Sequence, residues 1–437
     1  MSMAEIIPLG MFIVLFLLLG LGIPVAFSLF FVAISFALLA WGTGGTSIVV
    51  SSMFGAMNNF TLVAIPLFIL MSVLLEKSKI VEELFDSLYS VSWRLRGGLA
   101  MAGIAVGAVL GAISGVVAAG VIGLALIALP QMLKYRYDRP LSLGVVMAGG
   151  TLGQLIPPSL NMVVYGAMMG VSVAALFAGG LAAGVALALM YIIYIVVVGL
   201  LRPNALPKPT GDEAKPTVNF TRVLRGLILP AILIAVVLGS ILSGAATPTE
   251  GAGIGVVGTV LLALVARRMT WTVAKDSVWS SVKTSSMIVW ILAGAAGFSG
   301  VFAGVGGVTL VTKAAEAAPG GRWGVLAFAI VFIFFLGMFL ETMALIMLAA
   351  PIVTPVVLAQ GFDGLWWALL FMVVLQTAFL TPPFGFAIFY LKSVAPKAVR
   401  IEHIYRATLP FIGLQLLFVL LAIFFPWLLT WLPNLTQ

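Results

Sequence analysis

Long apolar runs separated by short polar segments dominate the chain from end to end. Uncharged runs of about 17 residues or more occur, for example, at 6–22, 24–40 and 171–200. As helices, such runs are long enough to cross the ~30 Å hydrocarbon core of a bilayer. No small-residue cleavage site follows the first run, which favours a retained helix over a signal peptide. The pattern predicts an all-α polytopic membrane protein.

A sequence repeat divides the chain into two halves. Leu155-Ile156-Pro157-Pro158 corresponds to Leu380-Thr381-Pro382-Pro383 at an offset of 225 residues. The same offset relates three more identical pairs, which are Tyr165 and Tyr390, Asp138 and Asp363, and Pro130 and Pro355. Agreement at one offset predicts two structural repeats, at 1–200 and 226–437, joined by a polar, Pro-rich cytoplasmic linker at 201–225.

Each half follows one plan. Three apolar segments come first, at about 5–22, 24–42 and 58–76, and at about 226–243, 250–267 and 284–305. An amphipathic or small-residue stretch follows, at 77–96 and 306–321. Next comes a Gly/Ala-rich segment with a polar break, at 98–133 and 322–358. A segment broken by Pro-Pro (140–170 and 364–391) and a final apolar helix complete each half. If each Gly/Ala-rich segment is a re-entrant hairpin, each half crosses an odd number of times. We therefore predict inverted-topology repeats, each with a re-entrant hairpin and a Pro-broken helix.

The distribution of basic residues supports this topology. With the N-terminus outside, all 22 Lys and Arg residues except Lys313 and Arg322 fall on one face. Loops rich in Lys and Arg remain cytoplasmic, so both termini are expected in the periplasm. The stretch at 77–96 would lie along the cytoplasmic interface. In a chain that is 62% apolar, a net charge of +8 reflects this bias, and no nucleic-acid partner is expected.

The four predicted helix breaks are the candidate functional positions. Irregular backbone at membrane depth occurs only against protein or a watery cavity. Freed carbonyls at such breaks can coordinate a cation, and the N-termini of half-helices can hold an anion. Hydroxyl and amide side chains at the breaks are Ser114, Ser159, Asn161, Thr342 and Thr381. A single Pro-Pro would favour a simple kink, whereas its recurrence at the repeat offset favours a binding site.

Glu341 lies in the second hairpin, with no other charge nearby in sequence. An intramembrane carboxylate is a functional candidate by default. Three roles stay open for Glu341: an Na⁺ ligand, a carrier of a coupling proton, or the N-cap of the second hairpin helix.

Two other motifs favour structural roles. Thr247-Pro248-Thr249-Glu250 predicts a capping box with proline in the first turn of a helix. Gly103, Gly107, Gly111 and Gly115 recur every four residues and predict a face for close helix packing.

Enzyme chemistry finds no support in the sequence. There is no cysteine and one histidine, His403, beside Glu402 in a basic stretch. A zinc site and a Ser/His/Asp triad are therefore excluded, and no Gly-rich loop with Gly-Lys-Ser/Thr suggests nucleotide binding. No organic cofactor is expected.

The same segments carry a family resemblance that spans nearly the whole chain. It rests on Gly111-Ala112-Ile113-Ser114-Gly115, Gly149-Gly150-Thr151-Leu152-Gly153 through Ile156-Pro157-Pro158-Ser159, Thr247-Pro248-Thr249-Glu250, and Phe379-Leu380-Thr381-Pro382-Pro383-Phe384-Gly385. The chain resembles the large membrane subunit (DctM-like) of the tripartite ATP-independent periplasmic (TRAP) transporters.

The resemblance implies a sodium-coupled importer of a small organic anion in the bacterial inner membrane. Both hairpins and both Pro-broken helices would slide as an elevator against a scaffold of the remaining helices. Na⁺ would be the coupling ion. The implied partners are a small membrane subunit, a periplasmic substrate-binding protein and the lipid bilayer.

Carried onto this chain, the resemblance implies two sodium sites. One would involve Ser114, Gly115, Pro157 and Ser159, and the other Thr342, Thr381, Pro382 and Gly385. The residues expected to contact substrate are Ser114, Asn161, Thr342 and Thr381, with Glu341 as a possible coupling carboxylate.

Two departures from the family pattern affect these expectations. Val116 follows Ser114-Gly115 where many relatives have a second serine, so one hydroxyl ligand is missing. Phe384 and Phe389-Tyr390-Leu391-Lys392 resemble a subgroup associated with monocarboxylates and 2-oxo acids.

Two other functions are compatible with parts of this pattern. A stand-alone sodium/dicarboxylate-type symporter would use the same hairpins and need no binding protein. A membrane scaffold or intramembrane enzyme would show no solute flux, and it would leave the duplicated breaks unexplained. A channel fits less well, because hairpins that open to opposite faces suit alternating access.

Overall fold

A computed structural model describes residues 3–78, 88, 92, 95–115, 117–207, 228–383, 385–396 and 399–436. Within these ranges the chain forms α-helices and short 3-10 turns, and no strand. The predicted all-α class is confirmed. Most of the predicted amphipathic stretch (77–96) and most of the linker (201–225) lie outside the described residues.

The helices of the first half run from the N-terminus to residue 201. They are α1 (Met3–Gly20), α2 (Val25–Trp41), α3 (Thr46–Met57), α4 (Ala64–Lys77), α5 (Gly98–Ser114), α6 (Val117–Lys134), α7 (Arg139–Thr151), α8 (Leu160–Met169) and α9 (Val173–Leu201).

The helices of the second half repeat this order. They are α10 (Leu229–Leu242), α11 (Pro248–Val265), α12 (Trp271–Gly304), α13 (Gly307–Glu316), α14 (Arg322–Gly337), α15 (Thr342–Leu358), α16 (Gly364–Leu380), α17 (Phe386–Val394), α18 (Ile401–Phe424) and α19 (Trp427–Thr436). Both α6 and α15, and both α7 and α16, begin 225 residues apart, at 117 and 342 and at 139 and 364. Helix boundaries thus repeat at the offset found in the sequence.

The third element differs between the halves and from the prediction. α12 is continuous over 34 residues, whereas the equivalent part of the first half is divided into α3, a 3-10 turn at Phe60–Val63 and α4. Asn59 marks the division. Its side chain accepts a hydrogen bond from Thr61 N (3.0 Å) and donates one to Ala167 O (2.7 Å). α3 and the first half of α12 were not predicted, since their serines and charges interrupt the apolar pattern.

The last predicted helix is also divided. α18 ends at Phe424, and α19 begins at Trp427, just after Pro426. Proline has no N–H to continue the helical ladder, which accounts for the break.

Capping residues fix the starts of several helices. The Asp138 and Asp363 carboxylates accept hydrogen bonds from Leu141 N (3.0 Å) and Trp366 N (2.7 Å) at the starts of α7 and α16. The capping box at Thr247 and Glu250 is confirmed, with Thr247 N donating to Glu250 Oε2 over 2.8 Å.

Seven segments of the described chain are long and apolar enough to cross a membrane. They lie at Val25–Met57, Phe60–Lys77, Val117–Lys134, Val173–Leu201, Pro248–Val265, Trp271–Gly304 and Ile401–Phe424. One of them is α6, which the sequence analysis places in a re-entrant hairpin. Length and composition do not distinguish a hairpin arm of 18 residues from a crossing helix.

Glycines allow the first hairpin to pack closely on the Pro-broken helix. A Cβ atom on Gly107 would lie 2.5 Å from Gly149 C, and one on Gly111 would lie 2.2 Å from Gly153 Cα. On the other arm, a Cβ on Gly120 would lie 2.6 Å from Gly150 O. Backbones meet directly along this seam, as the glycine spacing predicts.

The halves also exchange contacts near their breaks. α6 of the first hairpin packs against α17, and its repeat counterpart α15 packs against α8. α7 and α16 meet where Gln376 Nε2 donates a long hydrogen bond (3.5 Å) to Thr151 Oγ1. Positions 151 and 376 are themselves repeat equivalents, so this hydrogen bond joins equivalent positions of the two halves.

Candidate functional site

The first hairpin tip rests on the first Pro-Pro break. Gly115 ends α5 in a left-handed conformation (φ +59°), and its N–H donates to Gly111 O over 2.8 Å. A Cβ at Gly115 would lie 3.2 Å from Pro158 O. The sequence-predicted neighbours Gly115 and Pro157-Pro158 are therefore brought together, and this peptide bond, like Pro382-Pro383, is cis.

Ser159 is fully buried beside this tip. Its hydroxyl donates to Gln154 O over 2.7 Å, which leaves its oxygen lone pairs free to accept or to ligate a cation. The backbone of Ser114 ends α5, whereas its side chain and Val116 lie outside the described residues. Three of the four predicted residues of the first sodium site are thus placed together at one buried break.

The second break gathers backbone carbonyl groups. Thr381 Oγ1 donates to Thr377 O (2.8 Å), and Gly385 N donates to Thr381 O (3.1 Å). A Cβ on Gly385 would lie 2.8 Å from both Phe379 O and Thr381 O. These two oxygens converge on one small space, which suits a hard cation. Pro382 is partly exposed, and Phe384 lies outside the described residues.

The second hairpin tip is closed by Glu341. Its Oε2 accepts a hydrogen bond from Met343 N (3.0 Å), so the carboxylate caps α15. Next to it, buried Thr342 accepts a long hydrogen bond from Gln154 Nε2 (3.4 Å). The tip of the second hairpin therefore contacts the break of the first half.

Both tips border one small cavity of about 60 Å³. It is lined by Gly115, Val117, Ala118, Leu160, Asn161, Thr284, Met287, Ile288, Ile291, Glu341, Thr342, Met343, Phe379 and Tyr390. The predicted residues Gly115, Asn161, Glu341 and Thr342 meet here. Asn161 is 3% exposed, and its amide has no hydrogen-bond partner among the described residues. The amide offers two N–H donors and one oxygen acceptor to a ligand in the cavity.

Helix N-termini point their charge at this cavity. The first residues of α6, α8 and α15, at Val117, Leu160 and Thr342, are all in its lining. Helix N-termini carry partial positive charge and unpaired N–H groups, and they bind anions. Glu341 already occupies the start of α15, whereas the lining at the other two starts contributes no carboxylate.

Several polar residues near the site were not predicted. Thr284 and Tyr390 line the cavity, and Gln154 bridges the two halves. The repeat offset signalled Tyr390, as the counterpart of Tyr165. Behind the cavity, the hydroxyl of Tyr165 pairs with Thr354 Oγ1 (2.9 Å), which also accepts from Trp367 Nε1 (3.1 Å).

Comparisons with known proteins place the chain among transporters. The family described as "Tripartite ATP-independent periplasmic transporter, DctM component" matches residues 12–428. The C4-dicarboxylate TRAP transporter large permease protein DctM of Vibrio cholerae is 29% identical over 97% of both chains. The sialic acid large permease SiaM of Vibrio cholerae is 27% identical over 96% of both. The ectoine/5-hydroxyectoine large permease UehC of Ruegeria pomeroyi is 30% identical over 97% of this chain and 98% of its own.

A solved structure shares the fold. The YdaH transporter of Alcanivorax borkumensis matches with a TM-score of 0.56 and 16% identity, over 89% of this chain and 90% of that one. At this identity, the likeness concerns the fold alone. The match over nearly the whole chain, together with permease relatives that are transporters and not enzymes, shows that the chain belongs to the DctM family of TRAP transporter large permeases.

Proposed function

We propose that this chain is the large subunit of a sodium-coupled TRAP importer for a small organic anion, acting with a small membrane subunit and a periplasmic binding protein. The observation that carries the proposal is the cavity between the two hairpin tips, which is lined by Asn161 and by the first residues of α6 and α8. Amide and backbone N–H donors suit a carboxylate or similar anion. The three relatives named above, which are permeases for C4-dicarboxylate, sialic acid and ectoine/5-hydroxyectoine, support this class of substrate.

Sodium coupling is supported by the chemistry of the breaks. Na⁺ is a hard cation that prefers oxygen ligands, and carbonyl oxygens at unwound helix ends coordinate it in other transporters. Phe379 O and Thr381 O converge at the second break, and Ser159 offers a buried hydroxyl at the first. We assign the coupling ions to these two positions.

An elevator movement is supported by the way the helices pack. The two hairpins and the broken helices hold one another through the glycine seam and the α6–α17 and α8–α15 contacts. α9 and α18 pack on this body too, since a Cβ at Gly180 would lie 2.6 Å from Leu155 O and one at Gly144 would lie 2.5 Å from Ala407 O. We therefore propose that α9 and α18 move with the hairpins, whereas the family resemblance implies that they belong to the scaffold.

Reconstituted uptake tests the proposal. The chain and its small subunit are placed in proteoliposomes with an inward Na⁺ gradient, and the binding protein is added outside. The probes are radiolabelled succinate, pyruvate, N-acetylneuraminate and ectoine. We expect uptake of one probe that needs both the Na⁺ gradient and the binding protein.

Other results of this uptake experiment would favour one of the alternative functions. Uptake without the binding protein would identify a stand-alone sodium/dicarboxylate-type symporter. Uptake driven by a proton gradient alone would assign coupling to protons, with Glu341 as the first carrier to test. Absence of flux with a binding protein that demonstrably holds its probe would contradict transport and favour a scaffold.

A further inference from the structure

Two surface pockets occupy equivalent places in the two repeats. Each has a volume of about 480 Å³. Six lining positions correspond at the offset of 225: Asp138, Pro140, Leu141, Val198, Leu201 and Ala205 in the first pocket match Asp363, Leu365, Trp366, Ile423, Pro426 and Thr430 in the second. We call them the first-repeat pocket and the second-repeat pocket. The fold thus builds the same cleft twice, and only its side chains differ.

The first-repeat pocket carries an excess of positive charge. Arg202 and Arg406 line it, both are exposed, and neither forms an ion pair with a described residue. Asp138 also lines it, and its carboxylate accepts a hydrogen bond from Leu141 N at the start of α7. The pocket therefore presents two guanidinium groups, neither paired with a described residue, against one carboxylate.

In the second-repeat pocket, the one arginine and the one aspartate both contact neighbouring residues. The Arg322 guanidinium carbon lies 5.0 Å from the Trp323 ring centroid and 5.4 Å from that of Phe362. Asp363 caps α16 through Trp366 N. With one arginine and one aspartate, the lining of this pocket has no formal net charge. This pocket is a built-in control for the first.

Apolar surface leads away from the two arginines. Val197 and Leu201 of α9 and Phe411 of α18 form one wall of the first-repeat pocket. Of these, Val197 is 42% exposed and Leu201 is 77% exposed. In a membrane protein such side chains face hydrocarbon. A soluble anion would contact the arginines but leave the apolar wall uncovered. A molecule with an anionic head group and an acyl chain would contact both the arginines and the wall.

We propose that the first-repeat pocket binds one anionic phospholipid of the leaflet on the arginine-rich face of the protein. Its phosphodiester contacts Arg202 and Arg406, and an acyl chain lies along the exposed side chains of Val197 and Leu201. Basic pockets between membrane helices bind such headgroups. The lipid would touch α7, α9 and α18 together, so binding would hold α9 and α18 against the Pro-broken helix. This inference does not depend on the substrate or on sodium coupling.

Lipid retention in the full-length protein tests this. Wild type, the double variant Arg202→Gln/Arg406→Gln and the control Arg322→Gln are purified in mild detergent with phosphatidylglycerol or with phosphatidylcholine of the same acyl chains. Native mass spectrometry then counts retained lipid. We expect one retained phosphatidylglycerol in wild type and in Arg322→Gln. At about 1 kcal/mol per arginine near a lipid headgroup, we expect roughly 30-fold weaker retention in the double variant.

A second measurement separates lipid from free anion. Phosphatidylglycerol should raise the melting temperature of wild type and of Arg322→Gln but not of the double variant, and inorganic phosphate at equal concentration should raise none of them. Equal retention in the double variant, equal binding of phosphatidylcholine, or the same stabilisation by phosphate alone would each overturn the proposal. A double variant that elutes as a single symmetric peak establishes that it is folded.

Discussion

Asn161 and Glu341 line the same cavity, but they differ in whether the described residues supply a hydrogen-bond partner. Glu341 is engaged by the backbone of its own helix, through Met343 N. Asn161 is nearly fully buried and has no partner among the described residues. A polar group that the protein leaves unpaired is free for a ligand, and one that the protein pairs is first of all structural.

We predict that Asn161→Ala lowers uptake without lowering stability. A hydrogen bond to a charged substrate contributes about 1.5–3 kcal/mol, which corresponds to a loss of roughly 10- to 150-fold in kcat/KM. The melting temperature should stay close to that of wild type, because no internal hydrogen bond is lost. Asn434→Ala, an exposed asparagine in α19, is the control. Wild-type uptake by Asn161→Ala would remove this residue from the site.

We predict that Glu341→Ala and Glu341→Gln differ in stability. Alanine removes the cap of α15 and should cost about 1 kcal/mol of unfolding free energy, whereas glutamine keeps an oxygen acceptor and should cost less. Thermal melts measure both. With capping as its role, Glu341→Gln should retain Na⁺-dependent uptake. Loss of ion dependence in a stably folded Glu341→Gln would show instead that the carboxylate takes part in coupling.

At this scale, the sequence predicted residues that sit at breaks and missed residues that face the site from regular helices. Asn161 and Thr342 lie close after helix breaks that proline or polar residues mark in the sequence. Thr284 lies inside the continuous helix α12. Which of its faces meets the hairpins depends on packing between distant segments, and the sequence pattern does not encode that.

The glycine seam between α5 and α7 determines how closely the hairpin approaches the broken helix. We predict that Gly111→Ala destabilises the protein by about 1–3 kcal/mol through overpacking, because the added Cβ would lie 2.2 Å from Gly153 Cα. Uptake should fall as well, since this seam holds the first tip. Thermal melts and uptake measure the two effects.

The matched control for this element is Gly123→Ala in α6. There the added methyl group would meet only Leu110 Cδ1, at 3.6 Å. Alanine favours helix over glycine by about 1 kcal/mol, so this variant should be as stable as wild type or more so. Equal melting temperatures for the two variants would show that the seam is not tightly packed.

The helix breaks could be predicted at the element scale, because Gly and Pro act through local backbone chemistry. α3, the start of α12 and the separation of α18 from α19 were missed. Trp271–Lys283 contains serines, lysines and an aspartate among apolar residues, so hydropathy alone did not mark it as part of a long helix.

At the scale of the whole molecule, the repeat was visible in the sequence and recurs in the helix boundaries. The contact between Thr151 and Gln376 could not be predicted, because the offset relates equivalent residues but does not say which of them contact each other. Inverted orientation in the membrane stays a prediction that rests on the Lys and Arg distribution.

The central claim, that Na⁺ binds at the helix breaks, can be tested without knowing the substrate. The purified chain with its small subunit is melted in NaCl and in KCl at equal ionic strength, beside the variant Ser159→Ala/Gly385→Ala, whose added Cβ would lie 2.8 Å from both Phe379 O and Thr381 O and so fill the second site. Two sites, each with Na⁺ at ten times its Kd, would add roughly 3 kcal/mol of stability. We expect wild type to melt at a higher temperature in NaCl, and the variant to lose most of that difference. Equal melting temperatures of wild type in the two salts would contradict sodium binding at these breaks.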